Sequence, residues 1–190
     1  MQCELSPLHT RQPYRFVVIL SFCGEQLVLS RHKQRTTYET QGGHIEPGET
    51  PEQAARRELW EESGAAEYDL VPLCDYWAGD EHGWATGQVF VADVRRFEAL
   101  PESEMAEICF FDTLPENLTY PDLTPKFYEF ALKKRCNAAP MPWKNARFAN
   151  ANRAFYEPYI NPYPRAALAN AANSRRDASS SSRVMISGCH

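Results

Sequence analysis

The 190-residue chain is predicted to be an α/β protein, and three observations lead to this class. Runs of β-forming residues recur through the first 111 positions, a stretch after residue 50 has helix signals at both ends, and a second helical pattern follows residue 124. The composition is 43% hydrophobic and 12% aromatic, which is enough for one substantial core. One domain of this class is therefore expected.

The first predicted element is a β-hairpin. Residues 14–22 are a β-rich run, a turn signal at Cys23-Gly24 follows, and residues 27–31 are a second apolar run. Further strands are predicted at 70–78 and 88–94, joined by a loop that contains residues 79–84, and a short strand at 108–111.

Two helices complete the predicted elements. Thr50 suits an N-cap, Pro51 suits the first helical position, and Gly64 supplies a C-terminal stop, so residues 51–63 are predicted to be helical. The apolar spacing after residue 124 predicts a second helix that ends near Lys134.

Three carboxylates on the first helix point to a divalent cation. Glu58, Glu61 and Glu62 are spaced i, i+3 and i+4, which places them on one helix face, where they repel one another unless a positive charge lies between them. Oxygen ligands suit hard cations, so Mg²⁺ is the predicted cofactor and Mn²⁺ the second choice. An ordinary acidic surface helix is the alternative interpretation.

A glycine-rich loop precedes this helix. Gly42-Gly43 and Pro47-Gly48 predict sharp turns in which the backbone can approach a ligand or metal closely. The same loop brings Glu49 to the start of the helix.

Loop and helix together resemble the signature of the Nudix hydrolases at every defining position. The pattern is Gly43, five residues, Glu49, seven residues, Arg57-Glu58-Leu59, one residue, Glu61-Glu62, one residue, Gly64 and the apolar Ala65. The resemblance covers roughly residues 14–135 and implies an α/β/α sandwich with a mixed sheet and metal-dependent diphosphatase activity. One departure is Gln41, which stands where the family usually has Pro before the paired glycines.

The resemblance also implies the metal ligands. The region of Gly43 is expected to supply a backbone carbonyl, and Glu58, Glu61 and Glu62 are expected to supply carboxylates. A more distal carboxylate often completes the site in this family, and Glu104 and Glu107 are equal candidates.

Two further residues of the signature are expected to act in catalysis. Arg57 is predicted to form an ion pair that orients Glu49, with a plain surface salt bridge as the alternative. The sequence leaves open which carboxylate of the site is the general base.

Five residues are candidates for substrate binding. Arg31 and Arg35 belong to a basic cluster before the glycine loop and are suited to phosphate contacts, although a solvated hairpin end explains them equally well. Trp77 and Trp84 are suited to stacking on a nucleobase, although strand tryptophans more often belong to a core. Asn117 has an amide that can read a base edge, with a turn or cap role as the alternative.

The substrate expected from these features is a nucleotide. Residues 38–46 and 114–121 look like those of bacterial Nudix proteins described as 8-oxo-dGTP diphosphatases or nucleoside triphosphatases. The Pro and Tyr that mark ADP-ribose and dinucleoside-polyphosphate hydrolases of the family are absent at residues 80–83. We therefore expect Mg²⁺-dependent hydrolysis of a nucleoside triphosphate, normal or oxidised, to a monophosphate and pyrophosphate. The alternatives are pyrophosphate removal from an RNA 5′ end and a Nudix nucleotide-binding module without turnover.

Charge and composition change along the chain. The net charge is −5, but from Asn137 onward there are seven Lys or Arg and two acidic residues, a local +5 that leaves −10 on residues 1–136. An acidic body argues against broad electrostatic binding of duplex nucleic acid. Residues 1–136 are predicted to be the Nudix domain and residues 137–190 a low-complexity, disordered basic tail.

Location and redox state follow from two further patterns. The sequence has no apolar run of about 18 residues and no signal-peptide layout at its start, so a cytoplasmic protein with no membrane partner is expected. Its six cysteines lack Cys-x-x-Cys spacing, which argues against a zinc site or a disulfide framework. The oligomeric state is not predicted.

Overall fold

The computed structural model describes residues 1–137, and these residues form one seven-stranded sheet with two helices. In chain order the elements are β1 (Gln2–Ser6), β2 (Phe16–Cys23), β3 (Gln26–His32), β4 (Gln41–His44), α1 (Pro51–Ser63), β5 (Ala65–Asp80), β6 (Gly83–Phe97), β7 (Met105–Phe111) and α2 (Thr124–Asn137).

The sheet is mixed, as expected, and it forks at β2. Its order is β1-β5-β6-β2-β3-β7, with β4 paired to β2 off this path, and only β2 and β6 run parallel within the described residues. The first half of β2 pairs with β4 and its second half pairs with β3. The short strand β4 carries the paired glycines, so the fork places the glycine loop at the middle of the sheet.

The two helices cover opposite faces of this sheet. On one face Leu20 and Phe22 of β2 pack in a buried cluster with Phe127 and Ala131 of α2. Because side chains alternate along a strand, Ile19 faces the other side, where α1 lies against β2 and β4. The result is the α/β/α sandwich that the sequence predicts.

Both ends of α1 are fixed by the predicted residues. Thr50 Oγ1 accepts a hydrogen bond from Gln53 N at 3.2 Å, and Gln53 Oε1 accepts one from Thr50 N at 2.8 Å, which forms a capping box. At the other end Gly64 adopts a left-handed φ of 71° and donates its N–H to Trp60 O. The predicted bounds of this helix are confirmed.

Other predictions need correction. The loop expected at residues 79–84 shrinks to the turn Glu81-His82, because β5 and β6 stay in register as far as Asp80 and Gly83. The strands β1 and β4 were not predicted, since β1 is an edge strand with few apolar residues and β4 contains two glycines. The second helix continues beyond Lys134 to Asn137.

The predicted basic tail lies outside the described residues. Within residues 1–137, no helix is long and apolar enough to cross a membrane. Within the same residues, Cys3, Cys74 and Cys109 form no disulfide bond.

Candidate active site

The glycine loop and the carboxylate face of α1 are in direct contact. Gly42 donates its N–H to Glu62 Oε2 at 2.8 Å. A Cβ atom built on Gly43 would lie 2.1 Å from Glu58 Oε1, so only glycine leaves room for the Glu58 carboxylate in this position. The structure therefore brings the loop backbone and two of the predicted metal-binding carboxylates together.

Arg57 forms the predicted ion pair with Glu49 and extends it to neighbouring groups. Its Nε and Nη2 donate to Glu49 Oε1 and Oε2 at 2.8 and 2.9 Å, a two-pronged contact. Its Nη1 lies 2.8 Å from Glu58 Oε1 and 3.4 Å from Glu61 Oε2, and Nη2 also donates to His44 O. These hydrogen bonds lower the pKa of Glu49 to about 2 and raise the pKa of Arg57.

Negative charge accumulates around Glu62. Burial is the main cause that raises the pKa of Glu62 to about 8; the carboxylates of Glu58, Glu39 and Glu104 act in the same direction, and the hydrogen bond from Gly42 N–H opposes them. Burial also raises the pKa of Glu58, while Arg57 opposes this shift. One guanidinium therefore faces several partly buried carboxylates, and a divalent cation would relieve their repulsion.

The donor set fits a hard divalent cation. Within residues 1–137, no three carboxylate, imidazole or thiol groups converge as a finished metal cage. In this arrangement Glu58 turns an oxygen toward Arg57 and Glu62 turns one toward Gly42 N. Mg²⁺ needs only a few carboxylates and completes its shell with water and substrate phosphates, so a finished protein cage is not required.

Glu104 and Glu107, the two candidates for the distal metal-binding carboxylate, have different surroundings in the structure. Ser30 Oγ donates to Glu62 O at 2.7 Å, so Ser30 faces α1 and the next residue, Arg31, faces the opposite side of the sheet. There Arg31 Nε pairs with Glu107 Oε1 at 2.6 Å, in register across β3 and β7. Glu104, in contrast, is exposed, its Oε2 lies 3.0 Å from His32 Nε2, and its charge helps to raise the pKa of Glu62. Glu107 is therefore held by Arg31 on the other face, whereas Glu104 interacts with His32 and, through its charge, with Glu62.

One carboxylate of the cluster was missed by sequence reasoning. Glu39 is 5% exposed and interacts electrostatically with Glu62. Its Oε2 accepts a hydrogen bond from Arg35 Nη1 at 2.7 Å, while the Arg35 side chain stays 45% exposed. The sequence does contain a signal for Glu39, because it is an acidic residue that lies just before the glycine loop, in the segment between β3 and β4. Arg35, a predicted phosphate contact, lies beside this cluster.

The other predicted substrate-binding residues have different surroundings. Trp77 and Trp84 both lie at the β5–β6 hairpin turn, where a Cβ on Gly79 would contact them at 2.8 and 2.9 Å, and Trp84 is 64% exposed. Asn117 Nδ2 donates to Thr36 O at 2.7 Å, so this side chain joins two loops of the domain, and its role in substrate binding stays a prediction.

Comparison with known sequences shows the family of the chain. A sequence model of the family described as the NUDIX domain matches residues 10–129. The chain is 35% identical over 108 residues to YtkD of Bacillus subtilis (strain 168), whose name assigns it provisionally as an 8-oxo-dGTP diphosphatase. This match covers 56% of the present chain and 67% of YtkD.

Solved structures have the same fold. A mutant of the Bacillus subtilis pyrophosphohydrolase BsRppH matches with a TM-score of 0.61 and 25% identity, over 70% of this chain and 90% of BsRppH. The NUDIX domain of Shewanella oneidensis NrtR, in complex with ADP ribose, matches with a TM-score of 0.51 and 17% identity, over 68% of this chain and 92% of that one. The second likeness concerns the fold alone.

Proposed function

The chain belongs to the Nudix family and is a pyrophosphohydrolase, and from this premise we propose that it hydrolyses a nucleoside triphosphate to a monophosphate and pyrophosphate with the help of Mg²⁺. The observation that carries the proposal is the contact of the glycine loop with two partly buried carboxylates, made by Gly42 with Glu62 and by Gly43 with Glu58. The 35% identity to YtkD favours an oxidised guanine nucleotide, 8-oxo-dGTP, as the substrate to test first.

In this proposal the metal is held by groups on both sides of that contact. Glu58, Glu61 and Glu62 and the backbone at Gly43 would bind Mg²⁺, or Mn²⁺ in its place, and Glu104 would be the distal carboxylate. Bound metal would neutralise oxygens of the phosphate chain and favour ionisation of the attacking water.

The protein side chains would mainly orient and neutralise. Arg57 fixes Glu49 and Glu58 relative to each other, because one guanidinium bonds to both. Both oxygens of Glu49 already accept hydrogen bonds from Arg57, so we assign Glu49 an orienting role and leave the general base among the other carboxylates of the site. The exposed Arg35 would bind a substrate phosphate.

The test is a release assay on the full chain. Pyrophosphate and orthophosphate would be measured with Mg²⁺, with Mn²⁺ and with a chelator. The substrates are dGTP, 8-oxo-dGTP, the other nucleoside triphosphates, ADP-ribose, a diadenosine polyphosphate and a 5′-triphosphorylated RNA. We expect metal-dependent pyrophosphate release from a nucleoside triphosphate, greatest for 8-oxo-dGTP.

Each other outcome has a definite meaning. Release from the RNA alone would replace the proposed substrate with an RNA 5′ end, the alternative that the sequence left open. Nucleotide binding without release from any substrate, with either metal, would contradict the enzymatic proposal and support a binding module. A Glu62→Gln preparation serves as the control for contaminating phosphatases, because the variant keeps the side-chain shape and loses the carboxylate.

A further inference from the structure

Three fully buried polar side chains connect strands β2, β4 and β3 to α1. Ser21, Gln41 and Ser30 are each 0% exposed. Ser21 Oγ donates to Gln41 Oε1 at 2.7 Å, Gln41 Nε2 donates to Ser30 Oγ at 2.8 Å, and Ser30 Oγ donates to Glu62 O at 2.7 Å. We call this chain of hydrogen bonds the Gln41 relay.

The Gln41 relay is not required to fill the core. It lies on the α1 face of the sheet, where the neighbouring positions are apolar, as at Ile19 and Val28. Buried polar groups destabilise the fold unless all of them are paired, so apolar residues at all three positions of the relay would give a stable interior with fewer constraints. The relay is fully paired and ends at one backbone carbonyl. Its role is therefore expected at that carbonyl and not in the packing of the core.

That site is the last turn of α1. The final four carbonyls of a helix have no partner within the helix, and Ser30 supplies one for the carbonyl of Glu62. From the residue after Gln41, Gly42 donates its N–H to Glu62 Oε2. The backbone and the carboxylate of Glu62 are therefore both held from β4, by residues 41 and 42.

We propose that Gln41 is a positioning residue for the metal site, and that it acts through Ser30 to fix the main chain of Glu62 against the glycine loop. Gln41 itself touches neither metal nor substrate in this proposal. The inference rests on the proposed function, because it takes Glu62 to be a metal ligand.

Mn²⁺ affinity in the absence of substrate is the readout that separates positioning from folding. Free Mn²⁺ would be measured by electron paramagnetic resonance on the full chain, below the unfolding temperature of each variant. Gln41→Leu should weaken Mn²⁺ binding about 10-fold, as is typical when a group that supports a metal ligand is removed. Its turnover should recover when the metal concentration is raised.

Gln88→Leu is the matched control. Gln88 is also a buried glutamine of the same sheet, 4% exposed, but its Nε2 bonds to Asp75 rather than toward α1. Both substitutions should lower the unfolding temperature, and only Gln41→Leu should change Mn²⁺ affinity. Ser30→Ala breaks the last link of the relay and should also weaken binding, while the double variant should bind no more weakly than Gln41→Leu alone.

The outcomes distinguish this inference from the proposed function. Wild-type Mn²⁺ affinity in Gln41→Leu and Ser30→Ala, with weakened binding in Glu62→Gln, would overturn the positioning role and leave the proposed function intact. Wild-type affinity in Glu62→Gln as well would show that Glu62 is not a metal ligand, which would overturn both the positioning role and the metal site assigned in the proposed function. Ser30→Ala removes a single oxygen, so it decides the question if Gln41→Leu does not fold.

Discussion

A Cβ atom on Gly43 would lie 2.1 Å from Oε1 of Glu58, well inside the contact distance of the two atoms. The close approach involves the end of a side chain, which can rotate away, rather than a fixed part of the backbone. A larger residue at position 43 would therefore move the carboxylate and leave the strand in place. The absence of a side chain at position 43 is therefore required for the position of the Glu58 carboxylate and not for the formation of the strand.

Gly43→Ala should accordingly impair catalysis more than stability. The added methyl group displaces the Glu58 carboxylate from the loop, and we expect turnover to fall by about 10-fold to 100-fold, the range typical of disturbed metal-site geometry. The check is to compare kcat/KM with the unfolding midpoint in urea. Wild-type turnover in a folded Gly43→Ala protein would contradict the close packing of loop and helix.

Gly42 and Gly24 provide the controls for that experiment. A Cβ on Gly42 would lie 2.3 Å from Val17 O, a backbone atom, so Gly42→Ala should mainly destabilise the fold. Gly24 has a left-handed φ of 61° and open space around it, so Gly24→Ala should cost about 1 kcal/mol and leave turnover unchanged.

Arg57→Lys should reduce activity although the charge is kept. Arginine binds both oxygens of Glu49 and one of Glu58 with a planar fork, which a lysine ammonium cannot reproduce. We expect kcat/KM to fall at least about 10-fold and the unfolding free energy by about 1–2 kcal/mol. Arg56→Lys is the matched control, since Arg56 pairs with the exposed Glu52 and its contact is worth about 0.5 kcal/mol. Equal effects of the two substitutions would refute a special role for Arg57.

In the Glu62→Gln variant, Mg²⁺ should no longer stabilise the fold. In the wild-type protein, Mg²⁺ at ten times its dissociation constant should stabilise the fold by about 1.4 kcal/mol, because only the folded chain assembles the site. The variant loses one ligand and also one of several crowded negative charges, so its unfolding temperature in a chelator should not fall, and Mg²⁺ should no longer raise it. Thermal unfolding with and without Mg²⁺ checks both points, and turnover within a few-fold of wild type would exclude Glu62 as a ligand.

The helix α1 could be predicted from sequence because its signals are local. Thr50, Pro51 and Gly64 act on backbone groups within four residues of themselves, and the structure contains the capping box and the left-handed cap that they predict. The strand β4 could not be predicted in this way. Its residues become a strand only because β2, more than 20 positions earlier, presents a free edge to them.

The distal carboxylate shows a different limit of sequence reasoning. The register of β3 and β7 shifts between Arg31 and His32, so strict alternation along the chain cannot tell which of Glu104 and Glu107 faces α1. Glu39 was missed for a related reason, since its burial depends on how the segment between β3 and β4 folds and on its pairing with Ser30. Local spacing identifies the helix ligands, whereas long-range pairing decides which carboxylates join them.

A second buried carboxylate, Asp75, anchors the N-terminal segment and is 0% exposed. Its Oδ2 accepts hydrogen bonds from the N–H groups of Thr10 and Arg11 at 2.8 and 3.0 Å, and the Tyr14 hydroxyl lies 3.0 and 2.9 Å from its two oxygens. Four residues beyond Arg11, the backbone reaches the glycine loop, because the carbonyl of residue 15 accepts a hydrogen bond from the N–H of residue 45.

Asp75→Asn should therefore destabilise the fold without removing a group of the active site. An amide supplies only one accepting oxygen and sets an N–H₂ group against donors, so we expect a loss of about 3 kcal/mol in unfolding free energy. Tyr14→Phe removes a single donor and should cost about 1 kcal/mol. Urea unfolding measures both changes, and Mn²⁺ affinity below the transition should match that of the wild type. A weaker Mn²⁺ affinity in folded Asp75→Asn would instead show that the N-terminal segment also shapes the glycine loop.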